Sequence, residues 1–122
     1  MNRRHFNAAL AAMLAASARA QSGAPPLRAP RLKHGDTIAL INPSAAVYER
    51  EPYAVAAESL QALGFKVREA PHLRARYGHL AGTDRQRADD VNAMFADPAV
   101  HGLLAMTGGS GGNRSCRWWT TS

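Results

Sequence analysis

The sequence predicts an α/β fold with a mainly parallel sheet and helical crossovers, and three observations carry that reading. Apolar runs at 37–41 and 103–106 are short and bounded by turn residues, as buried strands are. Between them lie two segments with apolar residues at helical spacing, 51–63 and 84–96, so the order strand, helix, strand, loop, helix, strand joins parallel strands by crossovers. The last run opens into Thr107-Gly108-Gly109-Ser110-Gly111-Gly112, four glycines in six residues. Glycines let the backbone turn sharply and bring bare N–H groups close to a ligand. Ligands bind at the carboxyl ends of the strands in such sheets, which makes this turn the candidate site.

At 122 residues the chain holds at most one small domain, and 46% hydrophobic with 20% charged residues suits a globular chain. The formal charge of +6 is unevenly placed. Setting aside Arg3, Arg4 and Arg19 leaves 12 basic against 9 acidic residues, a mild excess without an aromatic-interleaved basic stripe. Nucleic acid is therefore not an expected partner. The single Cys116 excludes an internal disulfide and any multi-cysteine zinc site.

Residues 1–20 read as an export signal rather than as part of the fold. Asn2-Arg3-Arg4-His5-Phe6 supplies a basic start with paired arginines, 8–16 an alanine-rich apolar core, and Ala18-Arg19-Ala20 a small-x-small cleavage site before Gln21. The paired arginines and weakly apolar core resemble a twin-arginine signal, which places the mature chain in the periplasm. The core is too short to span a membrane. Residues 21–34, with Pro25, Pro26 and Pro30, read as an extended linker.

His34-Gly35-Asp36 is a turn into the first strand, 37–41, whose Thr37-Ile38-Ala39-Leu40-Ile41 suits a buried position. Asn42-Pro43-Ser44 ends it, since proline cannot continue the ladder. In the helix 51–63, Val55, Leu60 and Leu63 are expected inward and Gly64 is the stop. Phe65-Lys66-Val67-Arg68-Glu69 alternates, as an outer strand does. Thr83 is the expected N-cap of the helix 84–96, with Asp84 favourable in its first turn and Ala88, Val91, Met94 and Phe95 as the buried stripe. The run 103–106 is expected to be central and covered on both faces.

Residues 70–82 form a loop with His72, Arg74, Arg76, Tyr77 and His79. Two histidines seven apart with no carboxylate between them lack the spacing of a metal site, so the loop is read as solvated or as contacting an anionic substrate group. A nucleotide-binding reading of the glycine turn fails on spacing: no Lys-Ser/Thr follows and no Gly-x-Gly-x-x-Gly is met. Ser110 invites a nucleophile reading, but no Glu or Asp flanks it and the nearest histidine in sequence is His101.

Three segments resemble the LD-carboxypeptidases, serine peptidases that trim the murein tetrapeptide and include microcin-immunity peptidases. Residues 32–44 resemble the family's L-x-x-G-D-x-I-x-hydrophobic-x-x-P-S opening. Residues 80–92, from Leu80-Ala81-Gly82-Thr83-Asp84 to Val91-Asn92, resemble its A-G-T-D/E-x-x-R-x-x-D-L-N segment. Gly108-Gly109-Ser110-Gly111-Gly112-Asn113-Arg114 resembles its G-G-[YW]-G-x-x-R loop, with Ser110 where an aromatic residue is usual. The resemblance implies hydrolysis of an L,D peptide bond by a Ser nucleophile with Glu and His partners, without metal or cofactor, on murein peptide or a related substrate. It implies that Gly108 and Gly109 belong to the loop that holds the oxyanion and shapes the substrate cleft. A tight turn with no ligand is the plainer alternative. The nucleophile's G-x-S-D elbow, the Glu and the His do not occur in these 122 residues, so no catalytic residue is assigned.

The resemblance stops at Arg114. Ser115-Cys116-Arg117-Trp118-Trp119-Thr120-Thr121-Ser122 follows, where the family continues with a segment like V-L-P-L-V-D-Y. One nucleotide string, CGG TCC TGC CGC TGG TGG ACT ACC, encodes the eight residues from Arg114 to Thr121. Read two bases further on, it encodes V-L-P-L-V-D-Y. The expected organisation is therefore an export signal at 1–20, a linker at 21–34, a partial N-terminal domain at 35–114 and an out-of-frame tail at 115–122. Such a fragment is expected to be inactive and marginally stable. The alternative is an exported, non-catalytic peptide- or anion-binding domain.

Overall fold

The computed structural model describes residues 28–120. The export signal, the first half of the linker and the last two residues lie outside them. Residues 28–30 carry no helix or strand, and all elements belong to the unit Arg31–Ser122.

Three parallel strands form the sheet, in the order β2-β1-β3. They are β1 (Thr37–Ile41), β2 (Lys66–Glu69) and β3 (Gly102–Ala105). The register runs Thr37 to Lys66 on one side of β1 and Ile38 to Gly102 on the other. The crossover helices are α1 (Glu51–Ala62) and α2 (Asp84–Ala96). A short helix α3 (Gly112–Ser115) and a 3-10 turn (Cys116–Trp118) follow the glycine turn. The predicted α/β class with helical crossovers is thus found.

The core centres on β1 rather than on the last strand. Ala39 and Leu40 are wholly buried and pack with Ile41, Tyr53, Ala70, Leu73, Val91 and Met94. β1 has a partner on both sides, whereas β3 has one, and its Leu104 remains 39% exposed. The expectation of a central, doubly covered strand at 103–106 therefore applies to 37–41.

Both helices follow their sequence signals at the ends and depart from them on one face. In α1, proline occupies the first turn and Gly64 (φ +86°) ends it. The Gly64 N–H donates to Gln61 O (2.9 Å) and the Phe65 N–H to Leu60 O (3.0 Å), which satisfies two terminal carbonyls. The inward residues are Tyr53 and Leu60, flanked by Ala56 and Ala57; Val55 and Leu63 are 60% and 65% exposed. Tyr53 sets this phase because residues three, four and seven positions on from it share its face. In α2 the Thr83 hydroxyl accepts from Gln86 N (3.2 Å) and Gln86 Oε1 accepts from Thr83 N (3.0 Å), a reciprocal capping box. Its buried stripe is Arg87, Ala88, Val91 and Met94, and Phe95 in the last turn is 72% exposed.

Met94→Ala is expected to cost about 2–4 kcal/mol through the cavity it leaves. Phe95→Ala should stay within about 0.5 kcal/mol. Urea midpoints at unchanged m-value compare the two, and equal losses would contradict this placement.

Candidate functional site

The segments leaving the carboxyl ends of the strands gather at one end of the sheet. Asn42-Pro43-Ser44-Ala45 follows β1, residues 70–82 follow β2, and Thr107 to Gly111 follow β3. Hydrogen bonds sew the first and third together. The Thr107 hydroxyl lies 2.6 Å from Asn42 Oδ1 and 2.7 Å from Ala45 O, and Ser44 Oγ donates to Ser110 O at 2.7 Å. Asn42 Nδ2 in turn donates to the Tyr53 hydroxyl (3.3 Å), which donates to Leu73 O (3.2 Å).

The strongest tie comes from Arg87, 1% exposed on the buried face of α2. Its Nε donates to Pro43 O (3.1 Å), Nη1 to Gly82 O (2.6 Å), and Nη2 to both Gly111 O (3.1 Å) and Asp84 Oδ1 (2.6 Å). One guanidinium thus holds a carbonyl from each of the three segments. Only Arg has the planar fork and the five donors for this; Lys has three. Asp84 also meets Arg114 Nη2 at 3.2 Å through its other oxygen. The Arg87 hydrogen bond, with the nearby Arg114 charge adding to it, holds the Asp84 carboxyl below the usual aspartate range.

The glycine turn divides into an anchored and an open half. Gly111 is buried with φ +103°, and a Cβ there would meet Leu80 Cδ2 at 2.5 Å, so only glycine fits. Gly108 and Gly109 are exposed, with open space where a Cβ would stand, and Gly109 has φ +109°. Among the described residues, no acceptor takes either N–H. Ser110 is exposed and offers its carbonyl to Ser44. No base is hydrogen-bonded to its Oγ among the described residues, as a nucleophile requires. His101 precedes β3, at the opposite end of the strand, where its Nδ1 accepts from Thr37 N at 3.2 Å.

The loop 70–82 is stitched to its surroundings. His72 Nδ1 lies 2.8 Å from Asp90 Oδ1, and the His72 N–H donates to the same carboxylate. Burial raises the Asp90 carboxyl above the usual range, with the His72 contacts opposing it. Arg74 makes a bidentate pair with Glu69 and stacks over Tyr53 (4.7 Å); Arg76 donates to Tyr48 O (2.6 Å) and stacks over Tyr48 (5.2 Å). The His79 carbonyl accepts from Ala46 N at 2.9 Å. The side chains of His72, Arg74 and Arg76 thus hold the loop in place. No group of three His, Cys, Asp or Glu that could hold a metal occurs among the described residues, and no helix there is long and apolar enough to cross a membrane.

Beside the turn lies a cleft of about 340 Å³ bordered by Tyr77, Asp84, Arg85, Arg114, Arg117 and Trp118. Sequence reasoning passed over this cleft, and over Arg87 and Thr107 as the residues that assemble the site. Arg87 did leave a signal, since an arginine on the apolar stripe of a helix, three residues after an aspartate, has to be paired.

A family model described as the LD-carboxypeptidase N-terminal domain matches residues 38–121. A Bacillus subtilis (strain 168) protein named "Probable murein peptide carboxypeptidase" is 35% identical over 83 residues, covering 68% of this chain and 26% of that protein. Among solved structures, the microcin C7 self-immunity protein MccF superposes with a TM-score of 0.73 at 27% identity, over 78% of this chain and 29% of that one. An MccF-like protein from Bacillus anthracis strain Ames gives the same score and identity over 78% and 30%. The muramoyltetrapeptide carboxypeptidase of Oxalobacter formigenes, 21% identical with a TM-score of 0.61 over 69% and 28%, shares the fold. The chain spans under a third of the length of the relatives it matches.

Arg87→Met is expected to destabilise by about 3 kcal/mol, because it strips buried carbonyls and Asp84 of their partner. Arg87→Lys should recover only part of that, and amide exchange should quicken in both at Ala81 and Arg114, whose N–H groups donate to Ser44 O (3.0 Å) and Gly111 O (3.2 Å); slow exchange in a folded Arg87→Met variant would contradict the role. Because the Asp84 carboxyl is held low in the folded state, it contributes stability above the unfolded aspartate range, lost as pH falls through its folded value. Denaturation midpoints taken from pH 6 down to pH 2 should fall less steeply in Asp84→Asn than in the wild type.

Proposed function

This chain belongs to the LD-carboxypeptidase family, and on that premise we propose that it supplies the oxyanion-side loop of a serine peptidase cleaving the L,D peptide bond of murein tetrapeptide. The observation that carries the reading is the open half of the glycine turn. The Gly108 and Gly109 N–H groups stand at the carboxyl end of β3, on a turn that Arg87 and Thr107 hold from behind. Backbone donors fixed before the reaction stabilise negative charge on a carbonyl oxygen more effectively than water, which must reorient. Removing one such donor from an acyl-transfer enzyme costs about 10²–10³ in rate.

The nucleophile would come from the family's G-x-S-D elbow, with Glu and His partners, and these are outside the present 122 residues. On this reading the chain alone binds weakly and does not turn over. Residues 115–122 are the product of a frameshift, and residues 1–20 direct export through the twin-arginine route to the periplasm, where murein is. Binding of murein peptide without hydrolysis, by an exported non-catalytic domain, is the second reading. The exposed glycine N–H groups would serve it equally.

Sequencing the gene through and beyond the Arg114 codon is expected to show another frame continuing with L-P-x-x-D and then G-x-S-D. The purified 122-residue chain should release no D-alanine from murein tetrapeptide, and the frame-restored protein should release it. Release by the short chain would overturn the inactive reading. Absence of a continuing frame, with tetrapeptide bound but intact, would favour the non-catalytic domain.

A further inference from the structure

We propose that the cleft bordered by Arg85, Arg114, Arg117, Tyr77 and Trp118 binds a small organic carboxylate, an activity that needs no nucleophile and so stands apart from the peptidase reading. Three guanidinium groups face one carboxylate there, Asp84. That carboxylate is already engaged on both oxygens, by Arg87 Nη2 at 2.6 Å and Arg114 Nη2 at 3.2 Å. It therefore orients Arg114 more than it neutralises the cleft.

The other two arginines hold their positions through Nε and leave their forks open. Arg85 Nε donates to Asp89 Oδ1 (3.0 Å) while its guanidinium lies over the Trp118 ring at 5.2 Å. Arg117 Nε donates to Arg114 O at 3.3 Å. Among the described residues, no carboxylate meets the terminal nitrogens of Arg117. Side chains already held in place lose less entropy when a ligand arrives. A guanidinium fork matches a carboxylate through two parallel N–H···O bonds. The α2 N-terminus adds little, because the Thr83 hydroxyl already takes the Gln86 N–H and Asp84 meets the positive end of the helix.

The remaining walls identify the rest of the ligand. Tyr77 and Trp118 are exposed aromatic rings beside the basic floor. They offer apolar surface for a short side chain or methyl group attached to the carboxylate, which a bare inorganic ion would not use. The Trp118 carbonyl accepts from Asn92 Nδ2 (2.8 Å) and Thr120 N donates to Asn92 Oδ1 (2.9 Å), so the wall is tied to α2. The cleft binds through the chemistry of the residues present, whatever the origin of residues 115–118.

The test is a fluorescence titration of the full 122-residue chain carrying Trp119→Phe, so that Trp118 reports alone, at constant ionic strength. The probes are N-acetyl-D-alanine, N-acetyl-D-alaninamide and inorganic phosphate. Saturable quenching by the acid, with none by the amide and weaker binding of phosphate, is the expected result. Arg117→Ala should weaken the acid about tenfold, with Arg117→Lys in between. No saturation by the acid, an equal response to the amide, phosphate binding as tightly as the acid, or an unchanged affinity in a folded Arg117→Ala chain would each overturn the proposal.

Discussion

The buried guanidinium of Arg87 is the constraint on which the site end of this molecule depends. Moving a charge out of water is costly unless it is paired and its donors are met. Here four of five N–H groups find oxygen, and the pairing carboxylate comes from the first turn of the same helix. Because the acceptors are main-chain carbonyls from three separate segments, the cost of burial is offset only when all three are in place. The side chain therefore acts on geometry more than on net stability: the Pro43 turn, the Gly82 turn and Gly111 are fixed relative to one another through one rigid plane.

Much of the fold was legible because its signals are local. The N-cap Thr83, the stop at Gly64 and the apolar run 37–41 each depend on residues a few positions apart, and each appears where it was read. What was misread depends on partners far along the chain. Phase within α1 follows Tyr53, whose hydroxyl reaches Leu73 and Asn42, and no periodicity rule foresees that a tyrosine will outrank Val55 and Leu63 for the inner face. The last strand looked central because it is apolar, but burial depends on neighbours, and β1 has two.

The site was legible in its backbone and hidden in its side chains. Glycine spacing revealed the turn, since positive φ at Gly109 and Gly111 leaves a direct mark on composition. Nothing in the sequence says that Thr107 will lie against Asn42, 65 residues away, or that the arginines of the loop 70–82 will be spent on Glu69 and Tyr48. The resemblance to LD-carboxypeptidases supplied the family, which residues 38–121 bear out. It was silent on why that family's second motif carries an arginine and an aspartate three residues apart. In this chain those two residues, Arg87 and Asp90, are the buried polar posts that fasten α2 to the loops on either side.

The strand order has a consequence for how the chain comes together. Thr37 meets His101 across 64 residues, and β1 lies between two strands that are both made after it. During synthesis Thr37–Ile41 emerges first; it has no partner until the first crossover has been laid down and lacks its second until both have. Loops of that length close slowly relative to local helices, so α1 and α2 can form while the future centre of the sheet is still bare. The most buried segment of the finished molecule is thus the one exposed longest in the nascent one. Its five residues without a charge or proline are where misassembly would begin.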